Sequence, residues 1–104
     1  MTELEQLVNQ IKQSTDYQTN KRILKEKIQT DLHIPYNNGL FNVTTDLIAF
    51  LNSWDCDELI LEDVYENPII INRLEFLTLC KQRYYKIMNT WYHQHERLKE
   101  TRKI

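Results

Sequence analysis

Glycine and proline are almost missing from this chain, since one glycine and two prolines stand among 104 residues. This scarcity excludes collagen-like, low-complexity and proline-rich disordered sequences, which depend on one or both residue types. The chain instead has eleven aromatic residues and is 41% hydrophobic, a composition that predicts a packed core. A chain of this length forms one small domain with little spare volume, so a large enzyme active site is not expected.

Cysteine and long apolar runs are scarce as well. Cys56 and Cys80 fall in different segments with no CxxC spacing, so the sequence encodes neither a zinc knuckle nor a redox motif. Two free thiols in a reduced compartment are the prediction. The first residues lack the basic start and apolar stretch of a secretory signal. The longest aliphatic runs, 59–61 and 69–71, are far shorter than the about 20 residues that span a bilayer. We therefore expect a cytoplasmic protein without a membrane segment.

Basic residues are absent from the centre of the chain. Residues 33–72 contain seven acids and no Lys or Arg, whereas residues 1–32 carry five basic and five acidic side chains. Residues 73–104 carry eight basic and three acidic side chains. The net charge of −2 therefore conceals an acidic centre and a basic end. This segregation predicts either internal pairing or head-to-tail contact between copies.

The first 32 residues predict a pair of helices. Thr2 and Glu5 have the spacing of a capping box, and apolar residues follow on one helical face. These residues are Leu4, Leu7, Val8 and Ile11. The side chains of 14–16 compete for backbone hydrogen bonds, so we expect a break or kink there. A second helix of about four turns should follow as far as Leu32.

The central segment begins with a predicted tight turn. Pro35 ends the preceding helix because it lacks a backbone donor. Asn38 and Gly39 tolerate positive φ, which favours a turn between extended pieces at 34–36 and 40–43.

A short helix and a small β-hairpin complete the centre. Thr44 or Thr45 caps the helix, and its broad apolar face predicts that it is mostly buried. The β-branched residues of 69–72, together with 59–61, predict an antiparallel hairpin. Two strands alone are marginal in water, so this hairpin must lie on a helix.

The last 32 residues contain no proline or glycine and predict one long basic helix that starts after a cap at Asn72. A coiled-coil-like seam repeats every seven residues along it, at Leu77, Tyr84, Trp91 and Leu98. A helix of this length measures roughly 45 Å, against a diameter of roughly 33 Å for a compact chain of this size. We therefore expect its end to overhang and a partner helix to cover the seam, with fraying after His95 as the alternative. Tyr85 and Tyr92 lie beside the seam and widen its apolar face.

The residues that usually carry chemistry have unsuitable spacings. His93 and His95 point in different directions on a helix, and no third metal ligand is suitably placed. The acids of 55–58 lack the glycine and the later glutamate of a calcium-binding loop. No catalytic or nucleotide-binding motif is present. We therefore predict a protein that is not an enzyme and needs no metal or cofactor.

The basic and aromatic character of the last helix also suggests nucleic-acid binding. Arg83, Lys86 and Arg97 could contact phosphates while neighbouring tyrosines stack on bases. The net negative charge and the absence of a known binding motif weigh against this hypothesis. Nucleic-acid binding therefore remains an alternative to protein interaction.

Several short segments resemble stretches of small phage proteins. They are residues 14–17, 20–24, 36–41, 67–69 and 88–91. The chain resembles short open reading frames of contractile-tailed phages that infect marine cyanobacteria. Such genes tend to lie among virion-structure and head-assembly genes, so the resemblance implies a small structural or assembly component in the host cytoplasm or the virion. It carries no functional motif and assigns no site residues.

The sequence thus predicts a single α+β domain that is predominantly α. Its parts are a helical region over 1–32, an acidic region with a short helix and a hairpin over 33–72, and a long basic helix over 73–104. The favoured function is non-enzymatic protein interaction, with a foreign protein or with a second copy. The candidate partner-binding residues are Leu77, Tyr84, Tyr85, Trp91, Tyr92 and Leu98. A small adaptor or inhibitor of a host enzyme is a further alternative.

Overall fold

The computed structural model describes residues 2–102 and confirms the predominantly α fold. In chain order the elements are α1 (Glu3–Asp31), β1 (His33–Tyr36), β2 (Gly39–Asn42), α2 (Thr45–Ser53), β3 (Glu58–Glu62), β4 (Pro68–Asn72) and α3 (Arg73–Arg102). The strands form two separate antiparallel hairpins, β1 with β2 and β3 with β4. The long C-terminal helix and the central short helix lie where the sequence predicts them.

Helix α1 is a single continuous helix, so the predicted break at 14–16 is wrong. It begins as expected, because the Thr2 hydroxyl accepts a hydrogen bond from the Glu5 amide at 3.2 Å. The Thr15 hydroxyl donates to the Ile11 carbonyl at 3.0 Å. Both groups belong to α1, so the Thr15 hydroxyl forms its hydrogen bond within the helix and does not interrupt it.

The first hairpin turns one residue earlier than predicted. Asn37 and Asn38 form the two-residue turn with φ of 49° and 68°, and Tyr36 pairs with Gly39 across it. Two successive positive φ values are typical of the turn that matches the twist of a hairpin. Gly39 itself has no positive φ. It is needed for space, because a Cβ there would lie 2.8 Å from Cγ1 of Ile69.

A buried carboxylate joins the two hairpins. Asp63, in the loop between β3 and β4, accepts hydrogen bonds from the amides of Leu40, Tyr65 and Asn67 at 2.9–3.1 Å. These bonds, that of Asn67 first, hold the pKa of Asp63 below its usual value although burial opposes them.

Helix α3 lies against both hairpins and α2. The Asn72 side chain accepts from the Glu75 amide at 3.1 Å, which confirms the predicted cap. Thr44 caps α2 in the same way, through the Leu47 amide at 3.0 Å. The most deeply buried side chains of the core come from α2, α3, β4 and the residue after β2. They are Phe76, Leu51, Ile71, Val43 and Cys80.

Helices α1 and α3 lie side by side in opposite directions. Ile28 lines the same cavity as Met88, whereas Leu24 lines another with Leu98. Because the two helices are antiparallel and rise equally per residue, Arg102 lies at the level of about residue 16 of α1. Residues 2–12 of the chain project beyond that level, and each of their side chains is exposed. The molecule is therefore elongated, 67 Å by 23 Å by 18 Å. The expectation that α3 overhangs is wrong, because the projecting rod is the start of α1.

Candidate protein-binding groove

An open groove of about 600 Å³ lies between α1, the segment that joins β2 to α2, and α3. A smaller cavity of about 320 Å³ continues it between α2 and α3 and shares Thr45 and Tyr84 with it. We call the two together the α3 groove. Its length along α3, from Lys81 to Trp91, is about 15 Å, or nearly three helical turns.

The floor of the α3 groove is apolar and is built by helical spacing. Tyr84, Met88 and Trp91 recur at intervals of four and three residues and therefore share one face of α3. Ile28 and Leu32 form the facing wall from α1. Both of these α1 side chains also belong to the hydrophobic core. The facing wall of the groove is thus fixed by the packed core and is not carried by a mobile loop.

The rim of the α3 groove is polar, and its fixed charges are basic. Lys25 stands on the α1 side and Lys81 on the α3 side, and neither Asp nor Glu occurs among the lining residues. Nδ1 of His33 lies 3.0 Å from the Gln29 carbonyl and 3.1 Å from that of Thr30. This geometry makes Nδ1 a donor and fixes the imidazole at the C-terminal end of α1.

The structure distributes the six predicted partner-binding residues over four environments. Tyr84 and Trp91 lie in the α3 groove, where Trp91 is 37% exposed. Leu77 is buried in the core, and Leu98 lies between α3 and α1. The chain itself therefore covers half of the predicted seam.

Tyr85 and Tyr92 are among the most exposed aromatic residues, at 77% and 60%. They belong to a stripe on one face of α3 that consists of Lys81, Tyr85, Met88 and Tyr92. Since Lys81 and Met88 line the α3 groove, the two tyrosines extend its apolar surface along the outer side of α3.

The predicted nucleic-acid contacts lie elsewhere on α3. Arg83 donates to the Asp31 carbonyl at 3.4 Å and so helps to close the end of α1. Lys86 and Arg97 are exposed and eleven residues apart, which places them on one face, turned away from the α3 groove. Lys86 and Arg97 therefore form a basic surface of two cations, because the third predicted contact, Arg83, is already bonded to the Asp31 carbonyl.

The cysteines lie outside the groove. Cys56 is exposed and Cys80 is buried, and both are free. Burial raises the pKa of Cys80 to about 11, so this thiol stays protonated. Among the described residues there is no cluster of three or more side chains that could hold a metal ion. The α3 groove offers apolar contact, lysine charges and polar hydrogen-bonding groups.

Sequence reasoning missed the α1 side of the groove. The sequence predicts no role for Lys25 or Gln29, and it predicts Thr44 or Thr45 only as a cap. The signal was the apolar spacing of Leu24, Ile28 and Leu32, which identifies the packed face of α1 but not the helix that it faces.

Within residues 2–102, no helix combines the length and apolar character needed to cross a membrane.

Comparisons of the chain with protein-family models, with curated proteins and with solved structures find no match.

Proposed function

We propose that this protein is a non-enzymatic protein-interaction module that binds an acidic, amphipathic helix in the α3 groove. The observation that carries the proposal is the groove itself. Its floor is apolar and nearly three helical turns long, and the fixed charges on its rim are Lys25 and Lys81. An amphipathic helix presents an apolar face about as wide as this floor. Acidic side chains beside that face would lie near the two lysines.

The energy of such a contact would come from the floor. Burying an aliphatic or aromatic side chain contributes about 1.5–3 kcal/mol. Trp91 and Tyr84 are residue types that often dominate interfaces. Tyr85 and Tyr92 widen the contact on the outer side, and the two lysines determine which partners are favoured by charge.

The resemblance to phage proteins supports one biological setting for this role. In that setting the protein is a small structural or head-assembly accessory component that joins larger proteins. If so, the protein co-purifies with virion or assembly proteins rather than with a metabolic enzyme of the host. A host enzyme as the main bound protein would favour the adaptor or inhibitor alternative.

Capture of partners by tagged full-length variants tests the groove. Lys81→Glu reverses an exposed charge on its rim, and Met88→Glu places a carboxylate in its floor. Ile60→Glu is the matched control, because Ile60 is an exposed apolar residue on the second hairpin and does not line the groove. We expect a partner that is retained by the wild type and by Ile60→Glu but lost from both groove variants. Equal capture by all four proteins would refute the proposal.

The exposed Lys86 and Arg97 favour nucleic-acid binding as the second candidate function. If it is correct, a labelled DNA or RNA oligonucleotide binds and loses affinity steeply as salt rises. The variant that combines Lys86→Glu with Arg97→Glu should abolish that binding, whereas Lys81→Glu should leave most of it. Binding that is insensitive to salt and to this variant would exclude the candidate.

A further inference from the structure

Strand β3 has an edge that no other described strand covers. Within residues 2–102 it pairs with β4 alone, in a sheet of two strands. The edge of a sheet presents a row of backbone N–H and C=O groups that can pair with another chain. We call the side of β3 that faces away from β4 the β3 edge.

Hydrogen bonds of β4 show how the backbone groups of this sheet are directed. The Ile70 carbonyl accepts from the Asn37 side chain at 2.7 Å. The Asn72 amide donates to the Tyr36 hydroxyl at 3.4 Å. Ile70 and Asn72 thus direct their backbone groups away from β3, towards the first hairpin. Pro68 belongs to the same alternating set and has no N–H to give to β3.

The register of the hairpin transfers this alternation to β3. Glu58, Ile60 and Glu62 lie opposite the three outward-directed residues of β4. In such pairs of an antiparallel sheet, both residues direct their N–H and C=O groups away from each other. The backbone groups of Glu58, Ile60 and Glu62 therefore point to the β3 edge. Among the described residues, no other hydrogen bond reaches them.

Bonds at both ends of the ladder confirm the alternation. The Arg73 amide donates to the Asp57 carbonyl at 2.8 Å. The Asp63 amide donates to the Asn67 carbonyl at 3.0 Å. The odd-numbered residues of β3 thus face β4, and the even-numbered residues face the β3 edge.

The outer sides of the other strands are closed. That of β4 is bonded to the first hairpin, as described above. On β2, the Leu40 amide donates to Asp63 and the Leu40 carbonyl accepts from the Val64 amide. On β1, Pro35 lies opposite Leu40 and leaves the outer side without a donor there. Of the four described strands, only β3 keeps a full row of free donors and acceptors.

The side chains of the β3 edge indicate the chemistry of a strand that would pair with it. Residues two apart share one face of a strand, so Glu58, Ile60 and Glu62 form a row of acid, apolar and acid. All three are exposed, Ile60 to 69%. Neither glutamate forms an ion pair with a described residue. A cavity of about 350 Å³, lined by Glu58, Leu59, Ile60 and Ile70, offers space for an apolar side chain.

A second copy of β3 would oppose like charges at this edge. Antiparallel pairing about Ile60 sets Glu58 of one copy opposite Glu62 of the other, and in-register parallel pairing sets each glutamate opposite its counterpart. Like charges that are directly opposite destabilise a sheet. Residues 33–72, which contain all four described strands, have no Lys or Arg. A strand with complementary charge therefore comes from another protein.

We propose that the β3 edge binds an extended basic segment of another protein, which adds to the sheet as an antiparallel third strand. The segment places basic, apolar and basic side chains opposite Glu62, Ile60 and Glu58. In this mode of recognition the main-chain hydrogen bonds supply affinity, and alternate side chains supply specificity.

Hydrogen exchange of the full chain, followed by NMR, tests the pairing. The probe is the peptide TKTVTKT with blocked termini, added at millimolar concentration. We expect the amides of Glu58, Ile60 and Glu62 to exchange at least tenfold more slowly with peptide, because each gains a carbonyl partner. The amides of Leu59 and Leu61 already bond to β4 and should change less. No slowing at the three even-numbered amides would overturn the proposal.

Charge reversal tests the chemistry of the bound segment. The variant that combines Glu58→Lys with Glu62→Lys should bind TKTVTKT at least tenfold more weakly and should bind TETVTET instead. Binding of the acidic peptide also shows that this variant is folded. Glu3→Lys with Glu5→Lys makes the same charge change at the projecting end of α1 and should bind like the wild type. An equal loss in this control variant would overturn the proposal.

Methylation of single peptide nitrogens separates strand pairing from charge attraction alone. In the proposed register the valine N–H faces β3, whereas the N–H of the threonine before it faces away. A methyl group on the valine nitrogen should weaken binding at least tenfold, and one on that threonine nitrogen less than threefold. Equal effects of the two methyl groups would overturn the antiparallel strand.

The β3 edge shares no residue with the α3 groove, so the two proposals fail separately. A chain that binds no basic strand but captures a protein in a Lys81-dependent manner refutes the strand and leaves the proposed function standing. Ile60→Glu changes the β3 edge and not the groove, so a captured protein that this variant loses is assigned to the edge.

Discussion

Gly39→Ala tests how tightly the two hairpins pack against each other. The added Cβ would lie 2.8 Å from Cγ1 and 3.1 Å from Cδ1 of Ile69, and 3.2 Å from Cε2 of Phe41. Comfortable carbon contacts are about 3.5–4.0 Å, so at least one of these side chains must move. Gly39 lies in β2 without positive φ, so alanine suffers no backbone strain there.

The net effect is the difference of two opposing contributions. Overpacking of this kind costs about 1–3 kcal/mol. Replacing glycine by alanine at a compatible φ restricts the unfolded chain and returns about 0.4–1 kcal/mol. We therefore expect the free energy of unfolding of Gly39→Ala to fall by about 1–2 kcal/mol, which lowers Tm by roughly 4–8 °C for each kcal/mol.

Urea denaturation followed by circular dichroism measures this change, and a double-mutant cycle assigns it. In an Ile69→Ala background the crowding atoms are gone, so Gly39→Ala should cost less there than in the wild type. Asn42→Ala, at an exposed position of the same strand, should change stability by less than about 0.5 kcal/mol. The reasoning is refuted if Gly39→Ala is as stable as the wild type. It is also refuted if its cost is unchanged when Ile69 is shortened.

Three further predictions concern the carboxylate, the thiols and the groove. Because hydrogen bonds lower the pKa of Asp63 in the folded state, its contribution to stability is present above about pH 4 and lost as the pH falls through the folded pKa. Chemical denaturation at a series of pH values should therefore show Asp63→Asn with less stability than the wild type at pH 7 and a smaller loss on acidification. Under native conditions a thiol reagent should modify Cys56 alone, and Cys80 only after unfolding, since Cys80 is buried with a pKa of about 11; two equally fast thiols would contradict this. Trp91→Ala should weaken the binding of the partner captured by the α3 groove at least tenfold, measured by titration of the purified proteins, whereas Lys86→Ala should change it less than twofold.

Local signals were sufficient to predict where most elements begin. The caps at Thr2, Thr44 and Asn72 are short-range patterns, and all three form. The break expected at 14–16 does not form because a threonine hydroxyl can bond back to the helix as well as cap a new one. Propensity alone does not distinguish these two outcomes.

The relation between distant helices could not be predicted from the sequence. Heptad spacing identified the apolar face of α3, but it did not show that α1 covers Leu98 and leaves Trp91 at a groove. Which end projects depends on the axial offset between α1 and α3. That offset is determined by how the intervening hairpins and α2 pack, a long-range property that periodicity does not encode.

The Asp63 carboxylate has a consequence for cooperativity. Neither two-stranded sheet pairs with the other, and each alone would open readily. Hydrogen bonds join the two hairpins at both ends: the Leu40 amide donates to Asp63 and the Val64 amide to the Leu40 carbonyl at 2.9 Å. The Asn37 side chain also donates to the Ile70 carbonyl at 2.7 Å, and the Asn72 amide to the Tyr36 hydroxyl at 3.4 Å. Separation of the two hairpins must break these bonds. The amides of Leu40, Val64 and Asn67 should therefore exchange with solvent as one unit, so the two small sheets melt together rather than in sequence.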